Sequence, residues 1–143
     1  MNKTAAARTT WKGNMRVECE ARDHAIVTDQ PADMGGSDAG PNPLEVFLIS
    51  LGSCQATMAA IIASQERIDL ADFTVEIEGD YDLDSLMGKA QEGQSGFIEI
   101  RQKVFIDADL TIEEKKAFFE EVHARCPVTS SLLDKTQIKF EVQ

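Results

Sequence analysis

Between Pro43 and about Arg67 the sequence places apolar side chains on nearly every side of one helix. Leu44, Val46, Phe47, Leu48, Ile49 and Leu51 are followed by Ala56, Met58, Ala59, Ala60, Ile61 and Ile62. Asn42-Pro43 opens it, with Asn as a favoured N-cap and Pro suited to the first helical position. A helix that is apolar all round has to be buried all round. A chain of 143 residues builds one core of ordinary size. A long helix covered on both sides therefore points to a second copy of the chain as part of its surroundings. The helix carries one small, polar interruption: Ser50, Gly52, Ser53 and Gln55 around Cys54. Either another element approaches closely there or a thiol is kept accessible.

The flanking segments read as strands. Met15, Val17, Cys19 and Ala21 alternate with Arg16, Glu18, Glu20 and Arg22, the period-two pattern of a half-buried strand. Lys12-Gly13-Asn14 reads as a hairpin turn with Ala5–Trp11 as partner strand. Arg22-Asp23-His24 is a second turn, leading to a strand near Ala25–Thr28. Gln30 to Pro43 holds Pro31, Gly35, Gly36, Gly40, Pro41 and Pro43 and reads as a loop. Beyond the helix, Asp72–Asp82 alternates with an acidic outer face, Leu83–Gly96 is a glycine-bearing loop, and Phe97–Ile106 is a strand more evenly apolar at its end and so more central. Thr111-Ile112-Glu113-Glu114 is a capping box for a helix to about Arg125, with Phe119, Val122 and Cys126 as its apolar stripe. Pro127 stops it, Val128–Leu133 forms a short further helix, and Ile138, Phe140 and Val142 make a last strand. The order β-β-β-α-β-β-α-α-β argues α+β, helices on antiparallel sheet, in a single domain over residues 1–143.

Net charge is −11, from 14 Lys+Arg against 25 Asp+Glu. An acidic surface repels phosphates, so nucleic acid and anionic membranes are not expected partners. No window reads as the nearly uninterrupted run of about eighteen apolar residues that spans a membrane. The start, Met1-Asn2-Lys3-Thr4-Ala5, lacks a signal-peptide core. An odd count of three cysteines argues against a secreted disulfide framework. The expectation is a cytoplasmic protein with reduced thiols. Cys19 alternates with Met15 and Val17 and reads as core packing. Cys54 is either a space-filling core thiol or an accessible one. Cys126 precedes Pro127; at the N-cap of the short helix its thiolate is favoured by free N–H groups and the helix dipole. The alternative is a core residue ending its stripe. His123 lies one turn before Cys126, as a proton partner or as a solvated helix residue. The three cysteines, His24 and His123 show no short metal-ligand spacing. Gly35-Gly36-Ser37 lacks the Lys of a phosphate loop, so neither metal nor cofactor is expected.

The run Gly40-Pro41-Asn42-Pro43-Leu44-Glu45-Val46-Phe47-Leu48-Ile49-Ser50-Leu51-Gly52-Ser53-Cys54, followed about seventy residues on by Cys126-Pro127-Val128, resembles the OsmC/Ohr family of osmotically inducible and organic hydroperoxide resistance proteins. The resemblance covers nearly the whole chain. It implies an α+β fold in which two chains intertwine as a homodimer around the central helices. It implies that Cys54 is the peroxidatic thiolate, attacking the O–O bond of an organic hydroperoxide and becoming a sulfenic acid. Cys126 then resolves it as a disulfide, which a dithiol reductant reduces. In the peroxidase branches an Arg, positioned by a Glu directly after Asn-Pro, activates the thiol. This sequence has Leu44 there. Glu45 lies nine residues before Cys54, roughly opposite it around the helix at about 100° per residue. Arg8, Arg16 and Arg22 are all candidates for the cation. The chain thus looks like a divergent OsmC-like branch.

Two readings stay open. One is a thiol peroxidase with an apolar mouth lined by Phe47, Leu51 and Met58. The other is a non-enzymatic dimer that binds a small hydrophobic ligand and keeps its cysteines reduced.

Overall fold

The computed structural model describes residues 1–90, 92–134 and 136–142. The chain divides into two compact units, 1–49 and 50–143.

In the first unit, β1 (Arg8–Trp11), β2 (Val17–Ala21) and β3 (His24–Thr28) form an antiparallel sheet in that order. Both turns fall where the sequence signals put them. Gly13 and Asn14 take left-handed backbone, φ +102° and +49°, which these two residue types tolerate. Arg22-Asp23 forms the second turn, with Ala21 paired to His24, so β3 starts one residue earlier than Ala25.

The loop after β3 is organised by Asp29, a buried carboxylate. It accepts hydrogen bonds from the backbone N–H of Gln30 (2.8 Å), Ser37 (3.1 Å) and Ala39 (3.2 Å). Burial pushes this carboxyl up, and the three N–H donors together with Arg16 outweigh that and hold it below the usual carboxylate range. The loop closes tightly. A Cβ on Gly40 would lie 2.2 Å from the Val27 carbonyl oxygen.

The loop delivers Asn42 to the start of α1 (Pro43–Glu66). Asn42 Oδ1 accepts from the Glu45 N–H (2.9 Å) and Glu45 Oε2 accepts from the Asn42 N–H (2.7 Å). Asn42 is thus the N-cap that the sequence indicates, and Glu45 completes a reciprocal capping box.

In the second unit, β4 (Asp72–Tyr81) pairs antiparallel with β5 (Phe97–Asp107), from Asp72↔Asp107 to Tyr81↔Phe97. Between them the loop contains one helical turn, α2 (Leu83–Leu86), capped by Asp82. β5 is not the central strand expected of it. From Glu99 onward its burial alternates residue by residue, because a strand in a two-stranded sheet has one covered face. Then α3 (Ile112–Arg125) starts on the expected capping box of Thr111 and Glu114, and α4 (Pro127–Leu133) starts on Pro127. The core joins Ala59, Ile62 and Ala63 of α1 to Phe118 and Val122 of α3, with Phe73 of β4 and Ile106 of β5 packed against them. Phe118, rather than Phe119, takes the buried position on α3. The Phe119 ring stacks on Phe73 at 6.3 Å.

Within the chain, α1 is buried along one stripe, Leu51, Gln55, Ala59, Ile62 and Ala63. Ile49 remains 58 % and Ile61 41 % exposed, because one chain supplies one packing layer. Two further expectations are corrected. First, α1 is long and apolar enough, by length and composition, to cross a membrane; its Ser, Thr and Gln residues lower the mean hydropathy too little to prevent this. Its second half, however, packs in a protein core. Second, the described residues 136–142 form no strand. Ile138, Phe140 and Val142 are 90 %, 88 % and 86 % exposed. A period-two pattern needs a neighbouring strand to accept its backbone hydrogen bonds, and none lies beside this segment among the described residues.

Candidate active site

Cys54 sits half-buried at the polar interruption of α1. Two residues earlier, a Cβ on Gly52 would come within 2.9 Å of Ile77 Cδ1, so β4 meets the helix closely at this point. That is the close approach for which the small residues allow.

Cys126 sits at the joint between α3 and α4. Pro127 lacks the N–H that α3 would need to continue, and its fixed φ starts the next helix instead. Cys126 therefore has extended backbone (φ −72°, ψ 115°) and becomes the N-cap of α4, its Sγ accepting the Thr129 N–H at 3.5 Å. Fully buried, it points at α1. The two sulfurs, 72 positions apart in sequence, lie 3.1 Å from each other. A disulfide at about 2.05 Å is reached by closing roughly 1 Å.

The surroundings treat the two thiols differently. Burial raises Cys54, and the donor Val128 N–H only partly offsets this; its hydrogen bond to Cys126 and the developing charge there raise it further. Burial also raises Cys126, but donors outweigh it: the Thr129 hydroxyl, the Thr129 N–H, the Cys54 thiol and the Val128 N–H. Cys126 lies below the ordinary thiol value and Cys54 above it. The two shifts act together, favouring the proton on Cys54 and the charge on Cys126.

Behind the sulfurs lies a polar chain that sequence reading did not assemble. Gln55 is fully buried beside Cys54. Gln55 Nε2 donates to Gln102 Oε1 (3.2 Å) and to Thr129 Oγ1 (3.5 Å), and Gln102 Nε2 donates back to Gln55 Oε1 (2.6 Å). One signal for it was visible. Gln102 is the polar member of the inward alternation Ile100, Gln102, Val104, Ile106 on β5, and a buried amide needs a buried partner.

The other candidates lie elsewhere. Cys19 is half-buried on β2 opposite Thr9 and Ile26, not in a core. His123 is exposed on α3, against the Phe119 ring, and is not among the groups acting on Cys126. His24 starts β3. Among the described residues no group of three or more His, Cys, Asp or Glu is placed to hold a metal ion. Glu45 is turned to the N-cap of α1. Arg16 pairs with Glu18, and Arg8 and Arg22 belong to the first sheet and its turn. Of the residues expected to line an apolar mouth, Leu51 is buried, Met58 packs against the core and Phe47 is 36 % exposed. A cavity of about 300 Å³ lies instead between β5 and α3, lined by Val104, Ile106, Ile112 and Phe119 together with Lys115, Lys116 and Glu120.

A family profile described as OsmC-like protein matches residues 35–143, which include both cysteines and everything between them. The chain belongs to the OsmC-like protein family. A hydroperoxide reductase from Mycoplasma genitalium is 29 % identical over 103 residues, covering 72 % of this chain and 70 % of the relative. Among solved structures, an OsmC-like protein from Mycoplasma pneumoniae superposes with a TM-score of 0.81 at 20 % identity, over 94 % of this chain and 91 % of that one. An organic hydroperoxide resistance protein OsmC from Legionella pneumophila superposes with a TM-score of 0.67 at 20 % identity, over 91 % and 89 %. These likenesses establish the OsmC-like α+β fold, with its antiparallel sheets and long helix.

Proposed function

We propose that this OsmC-like chain is a thiol peroxidase that reduces organic hydroperoxides, with Cys54 as the attacking and Cys126 as the resolving cysteine. The observation that carries the reading is the 3.1 Å approach of two free thiols from distant parts of the sequence. The hydroperoxide reductase among its relatives supports the choice of substrate. Exposure divides the roles: Cys54 is half-buried and can be reached, whereas Cys126 is fully buried and can react with what forms on Cys54.

The pair starts with one proton and one negative charge. The proton passes from Cys54 to Cys126, leaving a Cys54 thiolate. That sulfur attacks the terminal oxygen of ROOH and the O–O bond breaks. Cys54 becomes a sulfenic acid, oxidised by two electrons, and the peroxide is reduced to an alkoxide. The alkoxide takes the pair's proton and leaves as ROH. Cys126, again a thiolate, attacks Cys54 Sγ and expels hydroxide, forming the disulfide. A dithiol returns both sulfurs to the reduced state, as the reducing cytoplasm supplies. The chain acts as a homodimer, the second copy covering the side of α1 on which Ile49 and Ile61 are exposed.

The test is turnover of cumene hydroperoxide with dithiothreitol as reductant. The wild-type chain is expected to turn over and Cys54→Ser is expected to be inert. Equal rates for the two, or no consumption by the wild type, rejects the peroxidase and leaves the ligand-binding scaffold as the reading.

A further inference from the structure

We infer that Thr129, held in one orientation by the buried Gln55–Gln102 amide pair, is the positioning residue that aims a hydroxyl donor at Cys126 Sγ and so sets the rate of disulfide closure. The inference rests on the peroxidase reading for its kinetic consequence and on geometry for its cause.

The geometry is directional. Gln55 has two N–H donors and one carbonyl acceptor, all out of contact with water. In the observed arrangement both donors are used, one on Gln102 Oε1 and one on Thr129 Oγ1, and the carbonyl accepts from Gln102 Nε2. Exchanging the Gln55 nitrogen and oxygen would put the carbonyl beside Thr129 and leave one buried N–H without a partner, which costs about 1–3 kcal/mol. The satisfied orientation therefore presents Thr129 with a donor. The Thr129 oxygen accepts it, which leaves the hydroxyl hydrogen for Cys126 Sγ, the sulfur that already accepts the Thr129 N–H at 3.5 Å; the Val128 N–H and the Cys54 thiol act on that sulfur as well. Three elements thus fix one hydroxyl: α1 through Gln55, β5 through Gln102 and α4 through Thr129 itself.

Chemistry gives the hydroxyl its use. Closure needs Cys126 as a thiolate at the moment Cys54 becomes a sulfenic acid, because a sulfenic acid left waiting is open to a second peroxide and goes on to the sulfinic acid. A hydrogen bond to a charged sulfur is worth more than one to a neutral thiol, so the donor favours the attacking form. The charged neighbours on α3 do not share this role. His123 is exposed, and Arg125 is held by Glu121 and Gln65. Gln102 on β5 is uncharged, and Cys54 is the titrating partner on α1.

The experiment compares wild type, Thr129→Val and Thr129→Ser. Valine keeps the shape and removes the donor, while serine keeps the donor. In single-turnover oxidation by cumene hydroperoxide, Thr129→Val is expected to close the disulfide roughly tenfold more slowly near neutral pH. It should approach the wild-type rate as pH rises, and accumulate sulfinic acid at Cys54. Thr129→Ser is expected to close at nearly the wild-type rate. A Thr129→Val rate equal to wild type overturns the inference. So does a rate slowed equally at every pH, since lost packing slows closure without moving its pH profile. A second measurement is independent of peroxidase activity. With Cys54→Ser as background, the ultraviolet absorbance of the Cys126 thiolate is titrated with and without Thr129→Val. An upward shift of the Cys126 titration by about one unit supports the positioning role even if the chain reduces no peroxide, and an unchanged titration contradicts it.

Discussion

Two sulfurs in unlike settings make this site. Cys54 is reachable and burial holds its thiol above the ordinary value; Cys126 is buried and its hydrogen-bond donors hold it below. Replacing Cys126 by serine should remove the second chemical step and slow the first, which loses the thiolate that accepts the Cys54 proton. Cys126→Ser is therefore expected to consume about one equivalent of hydroperoxide per chain and stop, with mass spectrometry showing oxygen added at Cys54. Continued turnover would assign resolution elsewhere. Asp29 makes a separate prediction. Its folded-state value is depressed, so its contribution to stability is present above the ordinary carboxylate range and lost as pH falls through the folded value. Asp29→Asn is expected to lower the melting temperature at neutral pH, with the gap to wild type narrowing in acid. A gap independent of pH would mean that the carboxylate's charge does not hold the loop. Nothing in the sequence marked Asp29. One carboxylate among many becomes special only when three N–H groups of a folded loop converge on it.

The elements follow from local rules where local rules are strong. Gly13-Asn14, Asn42-Pro43, the Thr111–Glu114 box and Cys126-Pro127 each state a turn or a helix end within about four residues, and each is found where it is stated. Replacing Thr111 by alanine removes the cap on Glu114 N–H and is expected to cost about 1 kcal/mol in thermal or denaturant unfolding. The glycines give a sharper contrast. A Cβ on Gly40 meets a backbone carbonyl oxygen at 2.2 Å, whereas one on Gly52 meets the tip of a flexible isoleucine at 2.9 Å. Gly40→Ala should be strongly destabilising and Gly52→Ala nearly neutral, since Ile77 can turn aside. Equal melting temperatures for the two variants would contradict this. What local rules did not yield is the Gln55–Gln102–Thr129 chain, because its three residues come from distant segments and meet only after α1, β5 and α4 have packed. The expected last strand failed for a related reason. Alternation at Ile138, Phe140 and Val142 states a preference, and a strand also needs an edge to join.

At the scale of the molecule, the apolar character of α1 exceeds what one chain covers. The stripe through Leu51, Gln55, Ala59 and Ile62 is satisfied within the chain, while Ile49 and Ile61 are left exposed. A dimer accounts for both observations, and sedimentation equilibrium is expected to return twice the 15.7 kDa of the chain. Ile61→Glu should shift that mass toward the monomer, and a monomeric wild type would remove the partner from the account. The most direct test of the whole concerns the thiols themselves. Reduced protein is treated with one equivalent of cumene hydroperoxide, freed of reductant, and mapped by peptide mass spectrometry with and without reduction. The expected result is two thiols lost per chain, a Cys54–Cys126 crosslink, Cys19 free, and one cumyl alcohol formed. Three free thiols after exposure, or a crosslink that includes Cys19 instead, would contradict it.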